Sequence, residues 1–411
     1  MLSELKLRAS FGRTGSDLNG SNFIVAPFSY LPGYDFPSGS AIFNGAYVLG
    51  TRPRGLPIDR LSWIKNDSKN LGLDFGVLGG KLTGQFDVFE RKRSGLLAAR
   101  YDILIPSEVG YTLPNENLNS DATRGVEGAL AYASNYGGLT YSVSANATLA
   151  RRRDLEFYKP RFGNSLDEYR NSFVDRWGNI NWGYQVVGRF QSQEEIGDYR
   201  VDNDGQGNRT QLPGDLIYKD VNGDGAINYL DERPIGYAEG APPYVNYAFS
   251  TDLGYKGFTL RVDLVGAGLQ TFRREVEQRI PFQNNGTSPD YMFEDRWHHQ
   301  DPFNSDSPWV PGTYPAVRKD NPGHNNYRFR SDFWVRNVRY LRVRNVELGY
   351  NLPKPFLTKI GLSSMRVYVN GTNLYSFDNL KDIGLDPEVS SNGGLVYPPQ
   401  RLFNAGFSVG F

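Results

Sequence analysis

Over long stretches the chain alternates apolar and polar positions with period two, the pattern of strands that present one apolar side. In the first stretch Leu5, Leu7, Ala9 and Phe11 alternate with Glu4, Lys6, Arg8 and Ser10. In the second, Leu71, Leu73, Phe75 and Val77 alternate with Asn70, Gly72, Asp74 and Gly76. Leu82, Phe86 and Val88 oppose Lys81, Thr83, Gln85 and Asp87 in a third, and Tyr141, Val143, Ala145, Ala147 and Leu149 oppose Thr140, Ser142, Ser144, Asn146 and Thr148 further on. Similar runs occupy 124–135, 243–254, 258–270, 337–351, 364–376 and 401–411. The pattern predicts about ten strands of roughly 9–15 residues. Soluble sheets average ~5–6 residues per strand, whereas a strand crossing a bilayer needs about 9–11.

The connections sort by length. Those around Gly79-Gly80, at Asn135–Gly138 and at Tyr255–Gly257 are tight, and Leu352–Ser363 is somewhat longer with two prolines. The others, 14–68, 92–123, 152–242, 271–336 and 377–400, are long, and long and short alternate strictly. Outer-membrane barrels have short periplasmic turns and long extracellular loops. The expected fold is therefore all-β: an antiparallel up-and-down transmembrane β-barrel segment with five outer loops and both chain ends on the periplasmic side. In one strand Leu341 and Val343 share a face while Val346, Leu348 and Tyr350 fall on the other parity, which predicts a β-bulge near Arg344-Asn345.

Composition changes this picture little. No run approaches the roughly 18 apolar residues of a membrane helix, which leaves barrels open. The formal net charge is zero and provides no basic face for nucleic acid. There are no cysteines, so neither disulfides nor thiol chemistry enter. Met1–Gly15 lacks the basic, apolar, small-residue order of a signal peptide and reads as a strand, so the expectation is that an exported protein begins upstream.

Several blocks resemble the SusC/RagA family of TonB-dependent transporters. They are TRGVEGALAY at 123–132, GDLIYKDVNGDGAINYLD at 214–231, YKGFTLRVDLVGAG at 255–268, FWVRNVRYLRVRNVELGYNLP at 333–353, the N-G-T-N-L-Y and G-L-D-P-E pieces within 367–388, and FNAGFSVGF at 403–411. Their order is similar to the family's C-terminal half. The resemblance implies that residues 1–411 are the C-terminal part of a barrel of roughly twenty-two strands, without the plug and the N-terminal strands. It implies uptake of a glycan or peptide across the outer membrane of a Bacteroidetes-type Gram-negative bacterium, a SusD-like surface lipoprotein as partner, and the TonB complex acting through the plug. Ten strands of such a sheet leave two open edges, untenable in lipid; either the sequence is a piece of a longer chain or a second chain completes the barrel. Phe403, Phe407, Val409 and Phe411, with Ala405, form one apolar face ending on a terminal aromatic, similar to the signal read by the outer-membrane assembly machinery.

The sharpest local motif is DVNGDGAINYLD, within the expected loop 152–242. Asp220, Asn222 and Asp224 occupy positions 1, 3 and 5 of the D-x-[DN]-x-[DN]-G calcium loop. Gly225 makes the turn, Ala226 offers a carbonyl, and Asn228 and Asp231 follow at 9 and 12. This predicts a structural Ca2+; the competing reading is an ion-free polar turn. The nearby DNDG at 202–205 reads as a turn. Trp177, Trp182, Trp297 and Trp309 lie deep in long loops and are candidates for stacking on sugars or peptide side chains. Histidines number only three, without zinc spacing, and no nucleophile elbow or phosphate loop occurs, so no enzyme is expected. The rival readings are a secreted, calcium-stabilised β-rich carbohydrate-binding protein and a surface hydrolase with a convergent acidic pair.

Overall fold

A computed structural model of the chain describes all residues except 1, 20, 21, 24–27, 29, 59, 101, 102, 159, 160, 238, 240, 241, 320, 322, 329, 389–396 and 398, with no account of the side chains of 18, 19, 22, 23 and 284. Ten long strands carry the fold: β1 (Leu2–Ser16), β2 (Ile64–Val77), β3 (Leu82–Ala98), β4 (Glu116–Tyr136) and β5 (Leu139–Glu156). The second half adds β6 (Val245–Tyr255), β7 (Phe258–Arg273), β8 (Val335–Asn351), β9 (Ser364–Asp378) and β10 (Leu402–Gly410). Each pairs antiparallel with its sequence neighbour, giving one curved sheet in the order β1 to β10. The short strand Arg176–Trp177 adds to β5 where β6 stops. All ten expected strands are present, most reaching further toward the long loops than alternation alone suggested. There the sequence turns polar on both faces, but the backbone ladder continues.

The sheet does not close: β1 and β10 each pair on one side only. Its two faces differ in chemistry. Rows of apolar residues run across the strands on one face, as in Leu7–Leu73–Phe86 and Leu264–Val343. This face is bare: Leu7 is 76%, Phe11 64%, Phe403 77% and Phe407 72% exposed. An apolar surface this extended is unsuited to water and marks an interaction surface. The opposite face is polar and ion-paired; Arg8 donates through Nε to Asp74 (2.9 Å) and through Nη2 to Asp87 (2.7 Å).

The tight turns follow from backbone chirality. Gly137 and Gly138 (φ 57° and 84°), and Lys256 and Gly257 (φ 49° and 88°), are both left-handed pairs, as a two-residue type I′ hairpin requires. The bulge lies where alternation breaks. Arg344 has no partner in either ladder, the register stepping from Val343 to Asn345 against both β7 and β9. The expected loop 152–242 runs from 157 to 244, because β5 extends to Glu156 and β6 starts at Val245.

Candidate functional site

The folded mass outside the sheet gathers at its long-loop end, where the loops 157–244 and 274–334 pack together. One apolar cluster joins Ile280, Met292, Tyr314, Tyr327 and Trp334, the last wholly buried. Another joins Leu216, Tyr218 and Ile227. Between them runs a buried polar network. Arg318 reaches Asp215 through both terminal nitrogens (3.1 and 2.5 Å), and Asn326 Nδ2 donates to the same carboxylate at 2.7 Å. Asn203 Oδ1 accepts from Tyr218 N (3.0 Å), Asn325 Nδ2 donates to the Asn203 carbonyl (3.1 Å), and Tyr218 OH donates to the Asn325 carbonyl (2.7 Å). Burial pushes Asp215 up to about 6, against the pull of Arg318, and pushes His324 down to about 4. Sequence patterning does not reveal this network, because its partners lie far apart in the chain and none sits in a periodic run.

Two short loop helices were also missed. Their signal is a cap: Asn164 accepts from Asp167 N before Ser165–Asn171, and Ser192 accepts from Glu195 N before Gln193–Asp198. In the second, Gln191 N donates back to Glu195 (2.6 Å), close to the reciprocal pattern of a capping box.

The calcium-loop motif forms a compact turn. Asp220 accepts from Gly223 N and Gly225 N (2.7 and 2.9 Å), and Asp224 from Ala226 N (2.9 Å). Asn222 Nδ2 and Asn228 Nδ2 both donate to Asp224 Oδ2 (2.9 and 3.1 Å). Asp231 is fully buried and faces away, accepting from Val221 N and Asn228 N (2.9 and 2.8 Å). Asp220, Asn222, Asp224 and Asn228 are thus brought together and Asp231 braces them from behind. Among the described residues no three His, Cys, Asp or Glu side chains converge as a metal site. The 202–205 turn is bridged to this loop, Asp202 N donating to the Gly225 carbonyl and Ile227 N to that of Asp202.

The four tryptophans separate. Trp177 is exposed and has Arg151 and Arg153 over its ring (5.1 and 5.6 Å). Trp182 packs edge-on against Tyr169 (5.3 Å) under Arg170 (4.8 Å). Both border a cleft of about 460 Å3, with Arg170, Arg176, Glu239 and Arg330. Burial raises the Glu239 carboxyl above its ordinary range. Trp309 lies against His299, ring centroids 4.0 Å apart and the planes tilted by 37°. Trp297 is buried against Gly214, where an added Cβ would lie 2.2 Å from the indole, so it fills the loop core and offers no face for stacking. Phe403, Phe407 and Val409 of β10 lie on the apolar face opposite Gly371, Val367 and Met365, and Phe411 follows, 95% exposed. Of the arginines around β8, Arg342 is buried on Asp386 (2.5 Å) and Glu388 (3.2 Å), Arg344 pairs with Glu388, and Arg336 with Asp382 (2.6 Å).

No family model matches the chain. It is 27% identical over 426 residues to TonB-dependent receptor P3 of Formosa agariphila, covering 99% of this chain and 39% of that protein. It is likewise 27% identical over 428 residues to TonB-dependent receptor SusC of Bacteroides thetaiotaomicron, covering 100% and 38%. The chain spans about two-fifths of the length of these curated relatives. Among solved structures, the RagAB peptide importer in its open-open state superposes with a TM-score of 0.66 at 18% identity, over 100% of this chain and 40% of that one. A second RagAB peptide transporter structure gives 0.65 at 18% identity, over 99% and 40%. The ten-stranded sheet thus has the fold of the matching stretch of the RagAB structures, and the chain is similar along its whole length to the C-terminal part of TonB-dependent receptors such as SusC.

Proposed function

We propose that the chain forms the C-terminal wall and outer loops of an outer-membrane, TonB-dependent importer of a glycan or peptide. The apolar face that crosses all ten strands carries this reading. It suits lipid, while the ion-paired opposite face suits an aqueous lumen. The open edges of β1 and β10 are then the seams where further strands complete the barrel. Phe403, Phe407, Val409 and Phe411 present the aromatic end that the assembly machinery reads. A SusD-like lipoprotein caps the loop cluster, the TonB complex drives release through a plug, and the outer membrane of a Bacteroidetes-type cell is the location. Ligand contact centres on Trp177 and Trp182, which border an arginine-rich cleft. The secreted carbohydrate-binding protein is disfavoured, since its surface would leave the apolar face in water. Fluorescent oligosaccharides and oligopeptides offered to cells with and without the gene, with and without a proton uncoupler, test this. Uptake of one ligand class that needs both gene and proton gradient supports it; uptake indifferent to both ends it.

The same reading places a structural Ca2+ on Asp220, Asn222, Asp224, Asn228 and the Ala226 carbonyl. Asp231 then holds the backbone, not the ion. Calcium chelation should lower the melting temperature of the wild type and leave an Asp220→Asn/Asp224→Asn variant unmoved; equal response of the two removes the ion from the account.

A further inference from the structure

On the apolar face the row Ala9–Leu71–Val88–Val126–Leu149 crosses β1 to β5. Two residues along each strand toward the long loops, the next row reads Phe11–Lys69–Glu90–Arg124–Arg151. The row after that is Arg13–Asp67–Lys92–Ala122–Arg153. Hydrocarbon thus gives way to charge within about 7 Å, at ~3.4 Å rise per residue. The two charged rows hold six cations against Glu90 and Asp67.

The step is a groove of about 860 Å3. Leu71, Val88, Val126 and Leu149 make its floor, and Trp177, Tyr237 and Tyr244 a wall on one side. Within it Glu90 is shared by Arg124 (2.5 Å) and Lys69 (3.9 Å). Arg151 makes no ion pair among the described residues. Its guanidinium lies 5.1, 5.8 and 5.0 Å from the rings of Trp177, Tyr237 and Tyr244, and its Nε is buried without an acceptor. Ring faces hold a cation but accept no fork of N–H donors, and a guanidinium without an acceptor is matched by a phosphate.

We propose that this groove binds a membrane lipid with a phosphorylated sugar headgroup, its acyl chain on the apolar floor and its phosphate at Arg151 and Arg124. The inference rests on the barrel reading, which puts the long-loop end, and so this rim, at the outer leaflet. Charge complementarity selects an anionic headgroup. The row from Lys69 to Arg151 spans three strand gaps, about 14 Å at ~4.8 Å each, wider than a simple phosphodiester headgroup and suited to a glycan.

The test is native mass spectrometry of the full-length protein that carries this chain, extracted from the outer membrane and offered monophosphoryl lipid A, its dephosphorylated form, or phosphatidylglycerol. Arg124→Gln/Arg151→Gln, which leaves Lys69 to Glu90, should reduce retention of monophosphoryl lipid A at least tenfold. Lys256→Gln at the opposite end should change nothing, and wild type should retain the other two lipids poorly. Trp177→Ala, which removes no charge, should weaken binding in a protein that still migrates as folded. Retention unchanged in the double variant, or equal for dephosphorylated lipid or phosphatidylglycerol, overturns the inference while leaving the barrel reading intact. A protein found outside the membrane overturns that reading itself.

Discussion

At the residue scale, buried charges decide how the long loops hold. Arg342 is 2% exposed and carries Asp386 and Glu388 of the segment after β9. Removing one partner of a buried ion pair typically costs about 3–5 kcal/mol. Arg342→Ala should therefore release that segment, seen as faster proteolysis within 379–388 with the sheet still assembled. Asp215 and His324 oppose one another with pH. Asp215, raised to about 6, contributes stability below the usual carboxylate range that is lost as pH rises through 6. His324, lowered to about 4, contributes stability above its ordinary 6.5 that is lost as pH falls toward 4. In the wild type the two contributions offset between about 4 and 6. In His324→Gln only that of Asp215 remains, so the protection factors of the 203–218 amides, their exchange corrected for the intrinsic rate at each pH, should rise as pH falls from 7 to 5; protection that falls on acidification would contradict this.

At the scale of elements, period-two alternation carried nearly everything about the sheet. A one-residue slip moves a whole strand to the wrong face, so the pattern and the register specify each other. The break at Arg344 was legible for the same reason, since Val346, Leu348 and Tyr350 could not otherwise share a face with Val343. Deleting Arg344 removes only the bulged residue and leaves every other side chain on its face. Deleting Leu348 puts Glu347 on the apolar face if the bulge is lost, or turns Tyr350 off that face if the bulge is kept. The first variant should still show heat-modifiable gel migration and the second should not. The loops were less legible. Their order comes from contacts such as Arg318–Asp215 and Trp297–Gly214, which join distant segments without periodicity. The tryptophans show this limit: sequence placed all four alike in long loops, and only packing separates Trp297 in the loop core from Trp177 and Trp182 beside a cleft.

At the scale of the molecule, the long loops share one end of the sheet and the tight turns the other. That asymmetry, with the apolar face between the ends, is what the membrane-wall proposal requires of the chain. Residues 1–411 hold no cysteine, so each introduced thiol is the only one within them, and the unsubstituted protein labelled in parallel gives the background. Gly205→Cys lies in the loop between β5 and β6, and Gly138→Cys in the turn between β4 and β5. The decisive measurement is labelling of each in intact cells with a membrane-impermeant maleimide. Gly205→Cys should be labelled at once, and Gly138→Cys only after the outer membrane is permeabilised. Equal labelling of both in intact cells, or recovery of both in the soluble fraction, would contradict it.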